Sequence, residues 1–163
     1  MSSEGGEFHS NRWPPDRDVV VKIRVALDPD APYEGETLWA RPIGDGVFIL
    51  DNIPFFAYGL SLADRIYARR TDDFDLEYSG IAEHGGHSTY RVYLGESQAQ
   101  LRAEEYWRQL EALGCGREIG TDRLWAFDLS PEVDIFKVHD VLESGEAEGV
   151  WTFEEVHVGH EIP

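Results

Sequence analysis

The spacing of the hydrophobic residues changes near residue 95, and this change limits the folds open to the chain. Before it, apolar and polar residues alternate, as in "DVVVKIRVAL" (18–27), the period of a β-strand with one buried face. After it, "ESQAQLRAEEYWRQLEALG" (96–114) places apolar residues at helical spacing, and a second helical segment begins near residue 130. The pattern therefore predicts an all-β unit followed by a mixed one.

The first unit is predicted to be a small β-barrel-like domain over residues 18–86. Five or six short strands occur there with no helical segment between them, which favours a barrel over an open sheet. "GDG" (44–46) is typical of a hairpin turn that needs positive φ angles. Residues 1–17, rich in Gly, Ser and Pro, predict a flexible N-terminal arm.

The second unit is predicted to be ferredoxin-like over residues 87–160. "STYRVYL" (88–94) precedes the first helix, and the stretch 115–130 contains two strands. A second helix then begins with Ser130 as N-cap and Pro131 at the first helical position, before a closing strand at 150–158. The order β-α-β-β-α-β is that of a ferredoxin-like unit. The predicted fold class is therefore α+β, a barrel-like half followed by a ferredoxin-like half.

Charge and cysteine content limit the partners and the compartment. The formal net charge is −18, and no Lys or Arg follows Lys137. Such a surface repels phosphate backbones and anionic lipids, so we expect neither nucleic acid nor a membrane as partner. The single Cys115 cannot form an internal disulfide, and the N-terminus lacks a signal-peptide pattern. We expect a cytoplasmic protein.

Three stretches of the chain resemble a known family. They are "LWARPIGDGVFILDNIPFFAYGLSLAD" (38–64), "GHSTYRV" (86–92) and "LEALGC" (110–115). In this order they are similar to an uncharacterised bacterial family, domain of unknown function 4265, over about residues 19–158. The "EHG" in front of GHST departs from that pattern, so no shared role is assigned to Glu83 or His84. The resemblance implies a shared fold, and it implies no activity, because the family has no established one.

The acidity favours a binding function over an enzymatic one. A negative surface steers a basic protein into contact, as in immunity or antitoxin-type inhibition of a basic toxin. The predicted contact residues are Asp140, Glu143, Glu146, Glu148, Glu154, Glu155, Phe55 and Phe56. Two alternatives stay open: that the acidity serves only solubility, and that the chain forms a homodimer through a sheet edge.

The stretch "EHGGHSTYRVYL" (83–94) is the candidate for catalysis. If the protein is an enzyme, a small hydrolase would use Glu83, His84, His87 and Ser88 at the junction of the two halves. His157 and His160 repeat the spacing of His84 and His87. Residues three apart on a strand point to opposite faces, and no known catalytic motif is present. We therefore expect no catalytic residue, no cofactor and no metal.

The same loop has a purely structural interpretation, which the residue types favour. Ser88 and Thr89 would bond to nearby backbone and close the turn before the strand. A small-ligand-sensing module is the remaining alternative, because a fold of this kind does not fix a function.

Overall fold

A computed structural model describes residues 6–9, 20–96, 99–121 and 123–162 of the 163-residue chain. Most of the expected N-terminal arm, residues 1–5 and 10–17, lies outside the described residues. Within the arm, Glu7–His9 forms a short strand, β1, that pairs in parallel with residues 35–37. These three residues therefore belong to a sheet, where the sequence predicts a loose segment.

Five strands form the predicted barrel. They are β2 (Val21–Ala26), β3 (Gly35–Gly44), β4 (Val47–Leu50), β5 (Arg65–Arg69) and β6 (Glu77–Glu83). Each is antiparallel to the next, and β6 returns parallel to β2 through Arg24 and Glu77, which closes the barrel. The long β3 makes the closure feasible, because its first half pairs with β2 and its second half with β4. The β-barrel prediction is confirmed.

Alternating residues fill the barrel core, as the strand period predicts. Ile23 and Val25 on β2 and Leu38 and Ala40 on β3 are buried together with Ile66 of β5. The β3–β4 turn uses the predicted residues: Gly44, Asp45 and Gly46 have φ angles of 103°, 57° and 73°. Asp tolerates this region better than most residues, and Gly adopts it freely.

The second unit contains a four-stranded sheet and both helices. Its elements are β7 (Ser88–Leu94), α1 (Ala99–Ala112), β8 (Gly116–Thr121), β9 (Leu124–Leu129), α2 (Ile135–Ala147) and β10 (Trp151–His157). The strand order is β10-β7-β9-β8, and every neighbouring pair is antiparallel. Among the described helices, none has the length and apolar character needed to cross a membrane.

The second sheet is covered on both faces. Trp125, Phe127 and Leu129 of β9 pack with the buried sides of α1 and α2. Leu124 and Ala126 point the other way and pack against Phe55, Ile53 and Phe8 of the barrel side. All six residues of β9 are buried, which explains why "LWAFDL" is apolar without a break until Asp128.

Helix α2 begins later than the sequence predicts. Its N-cap is Asp134, whose carboxylate accepts hydrogen bonds from the backbone N–H groups of Phe136 and Lys137. Ser130 and Pro131 form a turn before the helix, in which the Val133 N–H donates to the Ser130 carbonyl. The prediction of Ser130 as N-cap is therefore wrong. Asp134 is also a favourable N-cap residue. Because residues 130–133 form a reverse turn, the helix begins about one helical turn later than the sequence predicts.

Candidate functional site

The turn between β4 and β5 supplies the first part of a polar junction between the barrel and the second sheet. Asp64 is fully buried, and its carboxylate accepts the backbone N–H groups of Ser61 and Gly85, each at 2.9 Å. His84 Nδ1 lies 3.0 Å from Asp64 Oδ2. Residues 59–64, "GLSLAD", thus fix the carboxylate of Asp64 against the end of β6.

This turn carries backbone strain and a close contact. Ala63, next to Asp64, has a φ of 71°, a region that non-glycine residues rarely adopt. A Cβ on Gly85 would lie 2.5 Å from the Ala63 carbonyl oxygen, so position 85 accepts only glycine without rearrangement. Strain of this kind is found at functional sites more often than elsewhere.

A β-bulge brings His157 to the same place. The pairing of β10 with β7 shifts between Glu155 and His157, so that His157 lies opposite Thr89 on the barrel side. His157 Nδ1 is 3.0 Å from Ser61 Oγ, which in turn is 2.5 Å from Thr89 Oγ1. The rings of His157 and His84 stack with centroids 4.5 Å apart. Burial lowers the pKa of His157.

The other residues of the candidate catalytic loop are distributed among separate contacts. Glu83 is exposed and pairs with Arg65. His87 Nδ1 is 2.7 Å from Asp128 Oδ1, and this hydrogen bond raises the pKa of His87. Ser88 Oγ is 2.6 Å from His160 Nδ1. Glu83, His84, His87 and Ser88 therefore do not assemble into one catalytic group.

The hydroxyl groups at the junction are structural. Ser61, Ser88 and Thr89 each have 0% exposure, so none can reach a substrate as a nucleophile. Ser88 Oγ accepts the backbone N–H groups of Gly159 and His160, and Thr89 bonds to Ser61. The expectation that Ser88 and Thr89 bond to nearby backbone is corrected: their partners lie about 70 and 28 residues away in sequence.

A second candidate surface is the outer face of α2. Asp140, Glu143, Glu146 and Glu148 are all exposed there. Phe136, His139, Glu143 and Glu146 follow one another at intervals of three and four, so they share one side of the helix. Part of the charge is compensated, because Glu148 pairs with Arg102, and Glu143 lies 3.4 Å from His139.

An apolar groove lies at the N-terminal end of this surface. It has a volume of about 430 Å³ and is lined by Tyr90, Ile135, Phe136, His139, Glu155, Val158 and Ile162. Phe136 and Ile162 are 57% and 53% exposed, and they lie together in the lining of this groove rather than singly on the surface. We call the groove together with the carboxylates of Asp140, Glu143 and Glu146 on α2 and of its C-cap Glu148 the acidic face.

The structure separates the other predicted partner contacts from the acidic face. Glu155 lines the groove, whereas Glu154 lies on the barrel side of β10, bonded to Arg91 and Tyr58. Phe55 is fully buried between the two halves and cannot contact a partner, which corrects that prediction. Phe56 lines a smaller pocket of about 190 Å³ beside Tyr58, Tyr93 and Arg91.

Comparison with known proteins places the chain in a family. The model of the domain of unknown function DUF4265 matches residues 36–153. The chain belongs to this family. A solved structure with a TM-score of 0.70, titled a novel crystal structure of a hypothetical protein from Neisseria gonorrhoeae, is 18% identical and covers 89% of this chain and 99% of its own. No curated protein matches. The family assignment confirms the resemblance seen in the sequence, and the neighbour supports the fold.

For this DUF4265 member, sequence reasoning missed the convergence of Asp64 and His157 with His84. Nothing in the spacing of Asp64 links it to a strand about 90 residues away. The one usable signal was the repeated His-x-x-His spacing at 84–87 and 157–160. Those two stretches do meet in the fold, through the His84–His157 stack.

Proposed function

We propose that this protein is a non-enzymatic binding protein whose acidic face engages a basic protein partner. The observation that carries the proposal is a row of exposed carboxylates, Asp140, Glu143 and Glu146 on α2 and Glu148 at its C-cap, on a helix whose N-terminal end lines an apolar groove. Carboxylates alone would give solubility. A groove with exposed Phe136 and Ile162 beside them offers an anchor for an apolar side chain as well.

The charge distribution supports a basic occupant of the groove. No Lys or Arg follows Lys137 in the sequence, so residues 138–162 bring carboxylates and no Lys or Arg to this surface, beside the exposed Lys137 on α2 and Arg102, which pairs with Glu148. Opposite charge accelerates association and discriminates against acidic competitors. An occupant with Lys or Arg residues flanking an apolar residue matches both features. An immunity or antitoxin-type inhibitor of a basic toxin is the specific role we propose within this class.

Three further assignments accompany this proposal. The strand order and the two packed helices support the name ferredoxin-like for residues 87–160, beside a barrel over 18–86. The unpaired, buried Cys115 supports a cytoplasmic location. The junction offers weaker support for the hydrolase alternative, since its hydroxyl groups are buried.

Affinity capture with matched variants tests the proposal. The full chain and the variant D140N/E143Q/E146Q/E148Q are immobilised and exposed to source-cell lysate. A control variant, D72N/D73N/D75N, removes three exposed carboxylates from the turn between β5 and β6. The variant F136A removes the exposed ring of the groove without opening a core cavity.

We expect one basic protein that is retained by the wild-type chain and by the control, and released at high salt. The α2 variant and F136A should each lose it, because one removes the charge and the other the anchor. Equal retention by all four chains would contradict the proposal, as would a partner without basic character.

A further inference from the structure

Three residues at the junction can each offer one metal-ligand atom to a common point. They are Asp64 from the β4–β5 turn, His84 after β6 and His157 at the end of β10. Their ligand atoms all lie within 4.8 Å of one another. Ligands bound at about 2.0–2.2 Å around a tetrahedral ion are roughly 3.3–3.6 Å apart, so binding would draw the three side chains together by up to about 1 Å.

Two of the three ligands, Asp64 and His157, are already oriented by neighbouring groups. The Asp64 carboxylate is oriented by the N–H groups of Ser61 and Gly85, and His157 by the Ser61 hydroxyl and the β10 bulge. Metal sites in proteins depend on such surrounding hydrogen bonds to orient their ligands. The rings of His84 and His157 are stacked, so one ring must turn out of the stack for a nitrogen of each to point at the same ion.

We propose that Asp64, His84 and His157 bind a first-row divalent transition-metal ion, with Zn²⁺ as the probe. Two imidazoles and one carboxylate suit Zn²⁺ and its neighbours, whereas Ca²⁺ and Mg²⁺ prefer oxygen ligands. Three protein ligands leave at least one coordination position for water or another ligand. Because Asp64 and His84 belong to the barrel side and His157 to the second sheet, the ion joins the two halves.

The acidity of the chain makes a specific control necessary. A protein with net charge −18 attracts divalent ions at many places on its surface. The titration is therefore made with the full chain in excess Mg²⁺, which occupies carboxylate sites and competes poorly for imidazole. Zn²⁺ binding is measured by calorimetry, and Co²⁺ binding by its visible absorption bands.

The variants are H84Q and H157Q, with H139Q as the matched control. The side chains of His84 and His139 are 44% and 41% exposed, and His139 pairs with a carboxylate of α2, so the control removes a comparable imidazole. We expect one Zn²⁺ per chain, affinity reduced at least about tenfold in H84Q and H157Q, and no change in H139Q. Equal affinity in all chains, or no saturable 1:1 binding by the wild-type chain, would overturn the proposal.

If a variant fails to fold, the histidine ring resonances of the wild-type chain in NMR test the metal site instead. In the wild-type chain, Zn²⁺ should shift the ring resonances of His84 and His157 and leave that of His139 in place. A response centred on His139 or His160 instead would overturn the assignment. Neither result depends on the protein partner, so this proposal can fail independently of the binding function.

Discussion

Glu36 shows how much one buried side chain contributes to this fold. It is 1% exposed, and its carboxylate accepts the backbone N–H groups of Phe55, Phe56 and Ala57 at 2.6, 2.9 and 3.0 Å. Burial raises the pKa of Glu36, while these three hydrogen bonds oppose the shift. The carboxylate holds the segment that carries Phe55 into the interface with the second sheet.

Replacing Glu36 by Ala should therefore be strongly destabilising. Three N–H groups, two of them fully buried, would lose their acceptor, and we expect a loss of about 3 kcal/mol or more in the free energy of unfolding. Glu34→Ala, two residues away and exposed, should cost less than about 0.5 kcal/mol. Denaturant titration of both variants checks this, and equal costs would show that the buried acceptor is dispensable.

His87 gives a stability contribution that depends on pH. Its hydrogen bond to Asp128 raises its pKa above the ordinary value of 6.5, so the folded state holds the proton more tightly than the unfolded state. The contribution is complete below pH 6.5 and is lost as the pH rises through the raised value.

The variant His87→Gln should reveal this contribution as a pH-dependent difference in unfolding free energy from the wild-type chain. The gap in unfolding free energy between wild type and H87Q is expected to be larger near about pH 6 than near about pH 9. Other titrating groups occur in both chains and largely cancel. A gap that stays constant, or that widens with rising pH, would contradict the assigned pair.

Contacts at the residue scale were only partly predictable from the sequence. The Gly44-Asp45-Gly46 turn was predictable because turn chemistry is local. The partners of His87, Ser88 and His84 were not, because Asp128, His160 and Asp64 are brought to them by the tertiary fold. Local sequence patterns identify which polar residues a site contains, but they do not show which of these residues bond to each other.

At the scale of single elements, two residues are candidates for the N-cap of α2, Asp134 and Ser130, and their substitution distinguishes them. Asp134→Ala should destabilise the protein by about 1 kcal/mol, because two backbone N–H groups at the start of the helix lose their acceptor. Ser130→Ala should cost less than about 0.5 kcal/mol, since Ser130 lies in the preceding turn. Thermal or denaturant unfolding compares them, and a larger cost for S130A would restore Ser130 as the cap.

The helices and strands themselves followed the sequence closely. The apolar residues of α1 at helical spacing, Ala103, Trp107 and Leu110, are the buried ones. The register shift in β10 was not predictable, because a bulge depends on the partner strand. That shift decides where His157 points, so the candidate metal site could not be found from periodicity.

At the scale of the whole molecule, the two halves share an interface that leaves no space at Gly120. A Cβ on Gly120 would lie 2.7 Å from the ring of Phe55, which is fully buried. Gly120→Ala should therefore cost about 1–3 kcal/mol through overpacking. Gly80→Ala is the matched control, because a Cβ there meets nothing within 4 Å. If G120A is as stable as G80A, the interface is looser than described.

The double burial of β9 is a property of the whole molecule that the sequence indicated only indirectly. The run "LWAFDL" is apolar on both faces because helices cover one and the barrel covers the other. The order of elements predicted a barrel, a second sheet and two helices. How they dock depends on Phe55, Ile53 and Phe8, whose contacts no local pattern identifies.

The central claim is that the acidic face binds a basic partner, and a chemical-shift titration tests it most directly. The isotope-labelled full chain is titrated with a basic amphipathic peptide that has Lys and Arg residues around one apolar anchor. The account predicts saturable shifts centred on Phe136, His139, Glu143 and Ile162, which weaken with salt. Shifts spread evenly over all acidic regions, including the turn at residues 72–75, or centred away from α2, would contradict it.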